Sequence, residues 1–196
     1  MHVYSRLPLS DSRIDYLVES GKPSMHSLVS LPSGQRIRVH FLHPAPPGPT
    51  KNEESTERDA ELVIVARSVA DETMPVVVTG DLNDVAWSGT TRLFRNISGL
   101  LDPRIGRGMF NTFHADYWFM RWPLDHLFHS DHFTLSRLAR LPKFGSDHFP
   151  LLTELIFQGH ETDQQNDLDA DAEDRSRANS KTDAENVSPQ DVPQPG

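Results

Sequence analysis

The sequence predicts a mixed α/β fold, and two observations carry that prediction. A strand, a long helix and a second strand follow one another between residues 36 and 78, which is the pattern of a βαβ unit. After residue 110 the strand-like runs follow one another closely, as they do in antiparallel sheets. With 196 residues, the chain is long enough to form one domain with a sizeable core.

Three strand-like runs precede the predicted helix. Residues 1–9 read as a strand that ends in a turn marked by proline, and residues 25–31 form the second run. Residues 36–43 alternate polar and apolar side chains, the period of a half-buried strand. Ser33-Gly34 lies between the last two runs and suits a hairpin turn. We therefore expect these two strands to pair with each other.

The next segment is a loop rich in proline, residues 44–49, because proline fixes φ and removes a backbone donor. A helix is predicted over residues 55–71, where Leu62, Val65, Ala66 and Val69 share one face. The remaining predicted elements are a strand at 76–78, a helix at 91–96, and strands at 110–114, 124–129, 133–138 and 150–157.

The chain divides into a folded part, residues 1–158, and an acidic tail, residues 159–196. From His160 onward there are ten acidic and three basic residues, so the tail carries seven of the nine net negative charges. It has few apolar side chains to bury, which predicts disorder. Because most of the acidity lies in the tail, net charge says little about what the folded part binds.

The chain contains no cysteine, which excludes disulfides and a thiolate nucleophile. No apolar run approaches the roughly 20 residues of a membrane span, and the first residues lack the pattern of a signal peptide. On these grounds the sequence predicts a cytoplasmic protein without a membrane segment. The sequence does not indicate an oligomeric state.

A cluster of polar residues, Gly80-Asp81-Leu82-Asn83-Asp84, directly follows the apolar run that ends at Thr79. Gly, Asp and Asn are common in turns, so a plain turn is an alternative reading. If the segment is extended, Asp81 and Asn83 point the same way, since they are two residues apart. A carboxylate that takes a proton from water beside an amide that holds the water suits hydrolysis.

Two Asp-His pairs add to this picture. Asp147-His148 lies between a Gly-Ser turn and an apolar run, a position where pKa values can be tuned; a capped turn is the alternative. Asp125-His126 alone is more typical of a solvated surface pair. His43 ends an apolar strand and is a further candidate.

Other kinds of site find no support in the sequence. It contains no Walker-type phosphate loop, no dinucleotide fingerprint and no zinc motif. Its basic residues are scattered and show no aromatic-basic motif of a nucleic-acid-binding module. Carboxylate ligands without thiolates favour Mg²⁺ or Mn²⁺ as the metal of any metal-assisted phosphoryl site.

Taken in order, these motifs resemble the endonuclease/exonuclease/phosphatase superfamily, which has the DNase I-like fold, and especially its bacterial YafD-like branch. The resemblance covers about residues 3–157. It implies a four-layer β-sandwich with flanking helices. The matching motifs are Tyr4-Ser5-Arg6-Leu7-Pro8, His43-Pro44 with the proline loop, the Asp81/Asn83 signature, Asp125 and Ser146-Asp147-His148.

The resemblance also implies a reaction and a role for each residue. Asp81 would position or deprotonate an attacking water, and Asn83 would orient it. Asp125 would fix His148, which would contact the scissile phosphate. Asp147 would help to hold Mg²⁺ or Mn²⁺. The reaction would be hydrolysis of a phosphodiester or a phosphomonoester.

The same resemblance assigns phosphate contacts or proton transfer to His43, Tyr4 and Arg6. The substrate is then a phosphate ester, with nucleic acid as one candidate. The family also has an asparagine and a metal-binding glutamate before its Tyr-Ser-Arg motif, and nothing before Tyr4 supplies either residue. We therefore expect an N-terminally truncated, C-terminal portion of the domain. A non-catalytic remnant that binds a phosphate ligand or a partner is the alternative to an enzyme.

Overall fold

A five-stranded sheet and a two-stranded sheet form the centre of the protein. The computed structural model describes residues 1–46, 55–159 and 169–195. The first sheet has the order β1-β2-β3-β4-β5, and the second pairs β6 with β7. The strands are β1 (Leu9–Asp15), β2 (Ser24–Ser30), β3 (Arg36–Leu42), β4 (Val76–Asp81), β5 (Asp125–His129), β6 (Phe133–Arg140) and β7 (Leu151–Phe157).

The predicted βαβ unit is confirmed. β3 and β4 pair in parallel, with Arg38 opposite Val76 and Leu42 opposite Gly80. Helix α1 (Thr56–Val69) connects them, because parallel neighbours need a crossover. β2 and β3 form the predicted antiparallel pair. The loop predicted over residues 44–49 is described only as far as Pro46. Residues 47–49 lie outside the described part of the chain.

Two helices cover one face of the first sheet, and a third helix packs against both of them. α2 (Gly89–Ser98) begins at Ser88, whose hydroxyl accepts a hydrogen bond from the backbone of Thr91. α3 (Ala172–Glu185) packs against both α1 and α2. α1 is therefore buried on nearly all sides, and its residues 62–66 have no exposed surface. None of the described helices is both long and apolar enough to cross a membrane.

The second sheet packs on the other face of the first. Ile37 and Val39 of β3 and Phe133 of β6 are buried between the two sheets, with Leu155 and Phe157 packed against them. Sheet against sheet with helices outside is the predicted α/β sandwich. Among the described residues the helices cover only the first sheet, so three of the four expected layers are seen.

The expectation of a disordered tail is corrected for residues 169–195. α3 places Ala178 against Val63 and Leu93, and Val192 is buried in the main core. Polar contacts reinforce this packing, because Lys181 Nζ lies 2.5 Å from Asp59 Oδ2. A few buried contacts and an ion pair with α1 thus hold a segment whose composition predicts disorder. Residues 160–168 lie outside the described part.

Two strand predictions also differ from the structure. Residues 1–8 are not a strand, and the first strand is instead β1, where the sequence analysis placed none. Residues 110–114 form only isolated bridges, from Phe113 to Trp122 and to His148. Phe113 bridges two separate segments, and neither bridge continues into a regular ladder.

Candidate active site

Three strands of the first sheet bring their polar ends together. His43 follows β3, Asp81 ends β4 and Asp125 begins β5. β3 and β4 are parallel, so their carboxyl ends meet at one edge of the sheet. β5 runs the opposite way, which places Asp125 directly opposite Asp81. The sheet topology thus gathers residues that are far apart in the sequence.

Gly80 allows the two parallel strands to approach closely at this edge. Its φ is 150°, and a Cβ added there would lie 1.9 Å from the carbonyl oxygen of Leu42. No side chain fits in that space. Leu42 and Gly80 directly precede His43 and Asp81, so this contact sets the separation of these two predicted site residues.

His148 completes the site from a different segment of the chain. Its Nδ1 donates a hydrogen bond to Oδ2 of Asp125 at 2.7 Å. Its Nε2 lies 3.7 Å from Oδ2 of Asp81, and Nε2 of His43 lies 3.8 Å from the same oxygen. Asp81 therefore has an imidazole on two sides, and one of these is oriented by Asp125.

The environment shifts the pKa values of Asp81, Asp125 and His148. Burial raises the pKa of Asp81, and the charge of Asp125 raises it further, although a backbone hydrogen bond from Asn83 opposes the shift. The hydrogen bond to Asp125 raises the pKa of His148 against the effect of its partial burial. Burial opposes ionisation of Asp125, but the hydrogen bond from His148 holds the pKa of Asp125 below its usual value.

Asn83 lies in a tight turn and not in an extended segment, which corrects the geometry assumed from its spacing. Its φ is 49°, and its backbone N–H donates to Oδ1 of Asp81 at 2.9 Å. Its side-chain amide donates to the carbonyl oxygen of Pro44 at 2.9 Å. Asn83 therefore ties the Asp81 turn to the segment that carries His43.

Buried polar residues hold this turn from beneath. The guanidinium of Arg58 donates to the carbonyl oxygen of Asn83 at 2.7 Å. Nε2 of His126 is 2.9 Å from the carbonyl oxygen of Asp84, and its Nδ1 is 2.7 Å from Nη2 of Arg104. Burial lowers the pKa of His126 to about 3, so the neutral ring donates to Asp84 and accepts from Arg104. His126 is thus a supporting residue.

Sequence reasoning did not single out Arg58, Arg104 or the supporting role of His126. An arginine on a helix gives no local sign of a contact 25 residues further along the chain. The sequence signal that was available was His126 itself, next to Asp125 and within an apolar strand.

The other predicted site residues lie further from this centre. Tyr4 is 91% exposed and stacks on His2, and Arg6 is exposed. The first residues do lie over the site, because Met1, His2 and Val3 line a cleft of about 200 Å³ together with His43 and Asp81. The structure therefore brings the start of the chain to the site without placing Tyr4 or Arg6 in contact with Asp81 or His148.

The described residues do not on their own fit a complete metal site. Asp147, the predicted metal ligand, is exposed, and its side chain is 3.4 Å from the hydroxyl of Ser146. Within the described ranges, no three His, Asp or Glu side chains are grouped so that they could hold an ion. Asp81 and Asp125 are instead engaged with His148.

Comparison with solved structures shows the same fold in other proteins. The catalytic domain of human Nocturnin with bound sulfate is 16% identical, with a TM-score of 0.62 over 78% of this chain. TDP2 of D. rerio in complex with a single-strand DNA product is 17% identical, with a TM-score of 0.60 over 77% of this chain. The mannosyl-6-phosphatase of Bacteroides thetaiotaomicron is 20% identical, with a TM-score of 0.57 over 77%.

This chain spans 60% of the Nocturnin structure, 69% of the TDP2 structure and 67% of the mannosyl-6-phosphatase structure. A comparison with curated proteins finds no match. A sequence profile of one family, however, matches residues 1–148, which include every candidate site residue named above. The chain belongs to the endonuclease/exonuclease/phosphatase family.

Proposed function

We propose that this protein is a phosphoesterase that hydrolyses a phosphodiester or phosphomonoester bond. One observation carries the proposal: His148 lies between the carboxylates of Asp81 and Asp125, with one ring nitrogen on each side. An ionised carboxylate, an oriented imidazole and a second imidazole at one sheet edge can accept a proton from water and stabilise the charge that develops on a phosphate ester.

The roles follow from the contacts. Asp125 accepts from Nδ1 of His148, which fixes the ring and favours its protonated form. The Nε2–H of His148 then faces Asp81 and can donate to a phosphate oxygen as negative charge develops there. The raised pKa of Asp81 makes its carboxylate a better acceptor for a proton from water. His43, on the other side of Asp81, provides a second phosphate contact.

Tyr4, Arg6 and Asp147 keep their predicted roles as proposals. The first two could reach substrate because the neighbouring residues 1–3 line the cleft above Asp81. The family generally depends on a divalent metal, and Mg²⁺ or Mn²⁺ is our proposal for this chain. The exposed carboxylate of Asp147 offers one ligand. Within the described residues, no further carboxylates or imidazoles are grouped with it to complete a metal site.

The solved neighbours support the class of reaction. One is named as a phosphatase, and another was solved with a DNA product. A phosphatase acts on a phosphomonoester and DNA is a chain of phosphodiesters, which is why the proposal covers both kinds of ester. Membership of the YafD-like branch and a cytoplasmic location stay predictions.

The test is hydrolysis of bis(p-nitrophenyl) phosphate and p-nitrophenyl phosphate by the purified chain, with Mg²⁺ or Mn²⁺ present. We expect release of p-nitrophenol that is lost in Asp81→Ala and in His148→Ala. Asp71→Asn is the matched control, because Asp71 is an exposed aspartate just before the opposite end of β4. Equal rates in wild type, Asp81→Ala and His148→Ala would show that this site does not hydrolyse these esters.

A second candidate function is phosphate binding without hydrolysis. The observation that favours it is the lack of three grouped metal ligands among the described residues. In that case inorganic phosphate or vanadate should bind and depend on His148 and His43, while neither nitrophenyl ester is turned over. Isothermal titration with vanadate separates this outcome from an empty site.

A further inference from the structure

Residues 112–122 form a hairpin-like segment that is hydrogen-bonded to residues 147–149, the stretch that contains His148. The backbone N–H of Ala115 donates to the carbonyl oxygen of Asp147 at 2.7 Å, and that of Phe149 donates to Thr112 at 2.8 Å. The segment closes on itself where Thr112 bonds to the carbonyl oxygen of Trp122. Its position relative to His148 is therefore fixed by backbone hydrogen bonds on both sides of that residue.

Aromatic rings lead from His148 along this segment to solvent. The centre of the Phe113 ring lies 4.9 Å from the centre of the His148 ring and 4.7 Å from that of the His114 ring. The ring of His114 lies 4.7 Å from that of Tyr117. At the end are three exposed side chains, which we call the aromatic tip: Tyr117, Trp118 and Phe119, exposed by 50%, 79% and 66%.

Two guanidinium groups lie over the aromatic ring of Phe149, the residue that follows His148. Arg121 and Arg140 are 5.1 and 4.5 Å from the ring centre of Phe149. Within the described chain, no acidic side chain forms an ion pair with either arginine, whereas Arg137 of the same strand is paired with Glu154. Two cations thus lie over the ring of the residue next to His148 in the chain, and within the described residues no carboxylate pairs with them.

We propose that this surface binds a single-stranded polynucleotide, so that the substrate of the site is a nucleic-acid phosphodiester; this rests on the proposed phosphoesterase function. Exposed aromatic rings next to cations match the alternation of bases and phosphates along an unpaired strand. The rings of the aromatic tip stack on bases, while Arg121 and Arg140 bind the phosphates next to the one at His148.

A lipid surface fits this segment less well. A membrane-inserting tip places cations beside its apolar residues. Here Asp116 directly precedes the aromatic tip, and it forms an ion pair with Lys143, so that cation is already neutralised. The guanidinium groups of Arg121, two residues after the aromatic tip, and of Arg140 lie instead over the ring of Phe149, the residue that follows His148. The charge therefore complements a phosphate chain that passes through the site.

The experiment measures binding separately from turnover. Fluorescence anisotropy of a labelled oligothymidylate of about 12 nucleotides, long enough for one binding groove, is followed in EDTA at low and moderate salt. Trp118→Ala should weaken binding by about 5- to 150-fold, the range for loss of one stacked base, while Trp118→Phe should retain most of the affinity. Tyr16→Ala, an exposed aromatic beyond the end of β1, should have no effect.

The contribution of the arginines is measured by the salt dependence of the binding affinity. Arg140→Ala should lower affinity and reduce the slope of log K against log salt by about 0.7, the value for one phosphate contact on a single strand. Arg137→Ala, three residues away on β6, should leave the slope unchanged. Melting temperatures of all variants should match wild type, since each altered side chain is largely exposed.

The outcomes separate this inference from the proposed function. Oligonucleotide binding that depends on Trp118 and Arg140 supports the inference even if no ester is hydrolysed. Hydrolysis of nitrophenyl esters without oligonucleotide binding overturns the inference and leaves the phosphoesterase in place. Binding of vesicles of phosphatidylserine and phosphatidylcholine that depends on Trp118, with no oligonucleotide binding, overturns it in favour of a lipid surface.

Discussion

Asp81 and Asp125 face each other directly across the antiparallel pair of β4 and β5. Two carboxylates in such a position disfavour each other's ionisation, and this is one reason why the pKa of Asp81 is raised. His148 enters between them and favours the ionised form of Asp125. The pair is therefore asymmetric: Asp125 holds the imidazole, and Asp81 remains available as a proton acceptor.

This asymmetry predicts a bell-shaped pH profile for hydrolysis. The proposed reaction needs Asp81 ionised and His148 protonated, so the acid limb should follow the raised pKa of Asp81 and the alkaline limb the raised pKa of His148. In Asp125→Asn the negative charge that raises both values is gone. Both limbs should move to lower pH, and the maximal rate should fall by about 10²-fold. Initial rates between pH 4 and 9 measure this.

A merely structural effect of Asp125→Asn would lower the rate without moving either limb. Asp116→Asn is the matched control, because Asp116 is an exposed aspartate at the base of the aromatic tip and makes no contact with His148. Its profile should overlay that of the wild type.

The role of Asn83 can be separated from its backbone conformation. Asn83→Gly keeps the positive φ but removes the amide that donates to Pro44. We expect an unchanged melting temperature and a fall in kcat of about 10- to 100-fold, because the His43 segment loses its anchor. Asn83→Ala should be less stable than Asn83→Gly, by about 1 kcal/mol, since alanine disfavours this φ. Equal stability of the two variants would contradict the observed turn.

Gly80 should tolerate no side chain. Gly80→Ala places a Cβ 1.9 Å from the carbonyl oxygen of Leu42, so the β3–β4 pair has to separate. We expect a loss of about 3 kcal/mol or more in the free energy of unfolding. Gly21→Ala is the control, because nothing lies within 4 Å of its added Cβ and its φ is not positive. Urea denaturation of the two variants measures the difference.

The ion pair between α3 and α1 should stabilise the fold. Asp59 is buried, which by itself raises its pKa, but Lys181 and Arg58 outweigh this and hold the pKa below its usual value. The resulting stability is present above pH 3.8, the ordinary pKa of an aspartate, and is lost as pH falls through the lower folded value. Lys181→Met should cost about 1 to 3 kcal/mol at pH 7.

A double-mutant cycle with Asp59→Asn gives the coupling free energy of this pair. The effects of Lys181→Met and Asp59→Asn should not add, because the two groups contact each other directly. Additive effects would show that the contact contributes nothing. Hydrolysis by Lys181→Met reports whether the disturbance passes through Arg58 to Asn83, since Arg58 contacts both Asp59 and the Asn83 carbonyl.

Removal of divalent ions tests the proposed dependence on a metal. Addition of EDTA should abolish hydrolysis of bis(p-nitrophenyl) phosphate, and excess Mg²⁺ or Mn²⁺ should restore it. Asp147→Asn should raise the metal concentration needed for half-maximal rate while leaving vanadate binding in EDTA unchanged. Full activity in EDTA would contradict the metal proposal without affecting the roles of Asp81 and His148.

The elements that could be predicted are those with strong local patterns. The apolar run from Val76 to Val78 and the apolar face of α1 identify the βαβ unit, and the polar residues after β4 locate the site. These signals are local because burial of one strand or one helix face produces a pattern of apolar residues within a short stretch of sequence.

The rest depends on contacts between distant segments. α3 has only Asp174, Ala178 and Thr182 buried, so no apolar period marks it; its packing against α1 and the contact with Asp59 decide its structure. The bridge from Phe113 to His148 is likewise made by backbone groups far apart in the chain. The composition of a segment gives no information about a partner that another segment provides.

The parallel pairing of β3 and β4 also has a consequence for folding. Their residues can meet only after the whole crossover, including α1, has folded back on the sheet, and such non-local closure is slow. His43 and Asp81 lie at the ends of these two strands, so they stay apart until this step is complete. Recovery of activity during refolding should therefore lag behind the recovery of helical signal, and the active site should be one of the last parts of the protein to form.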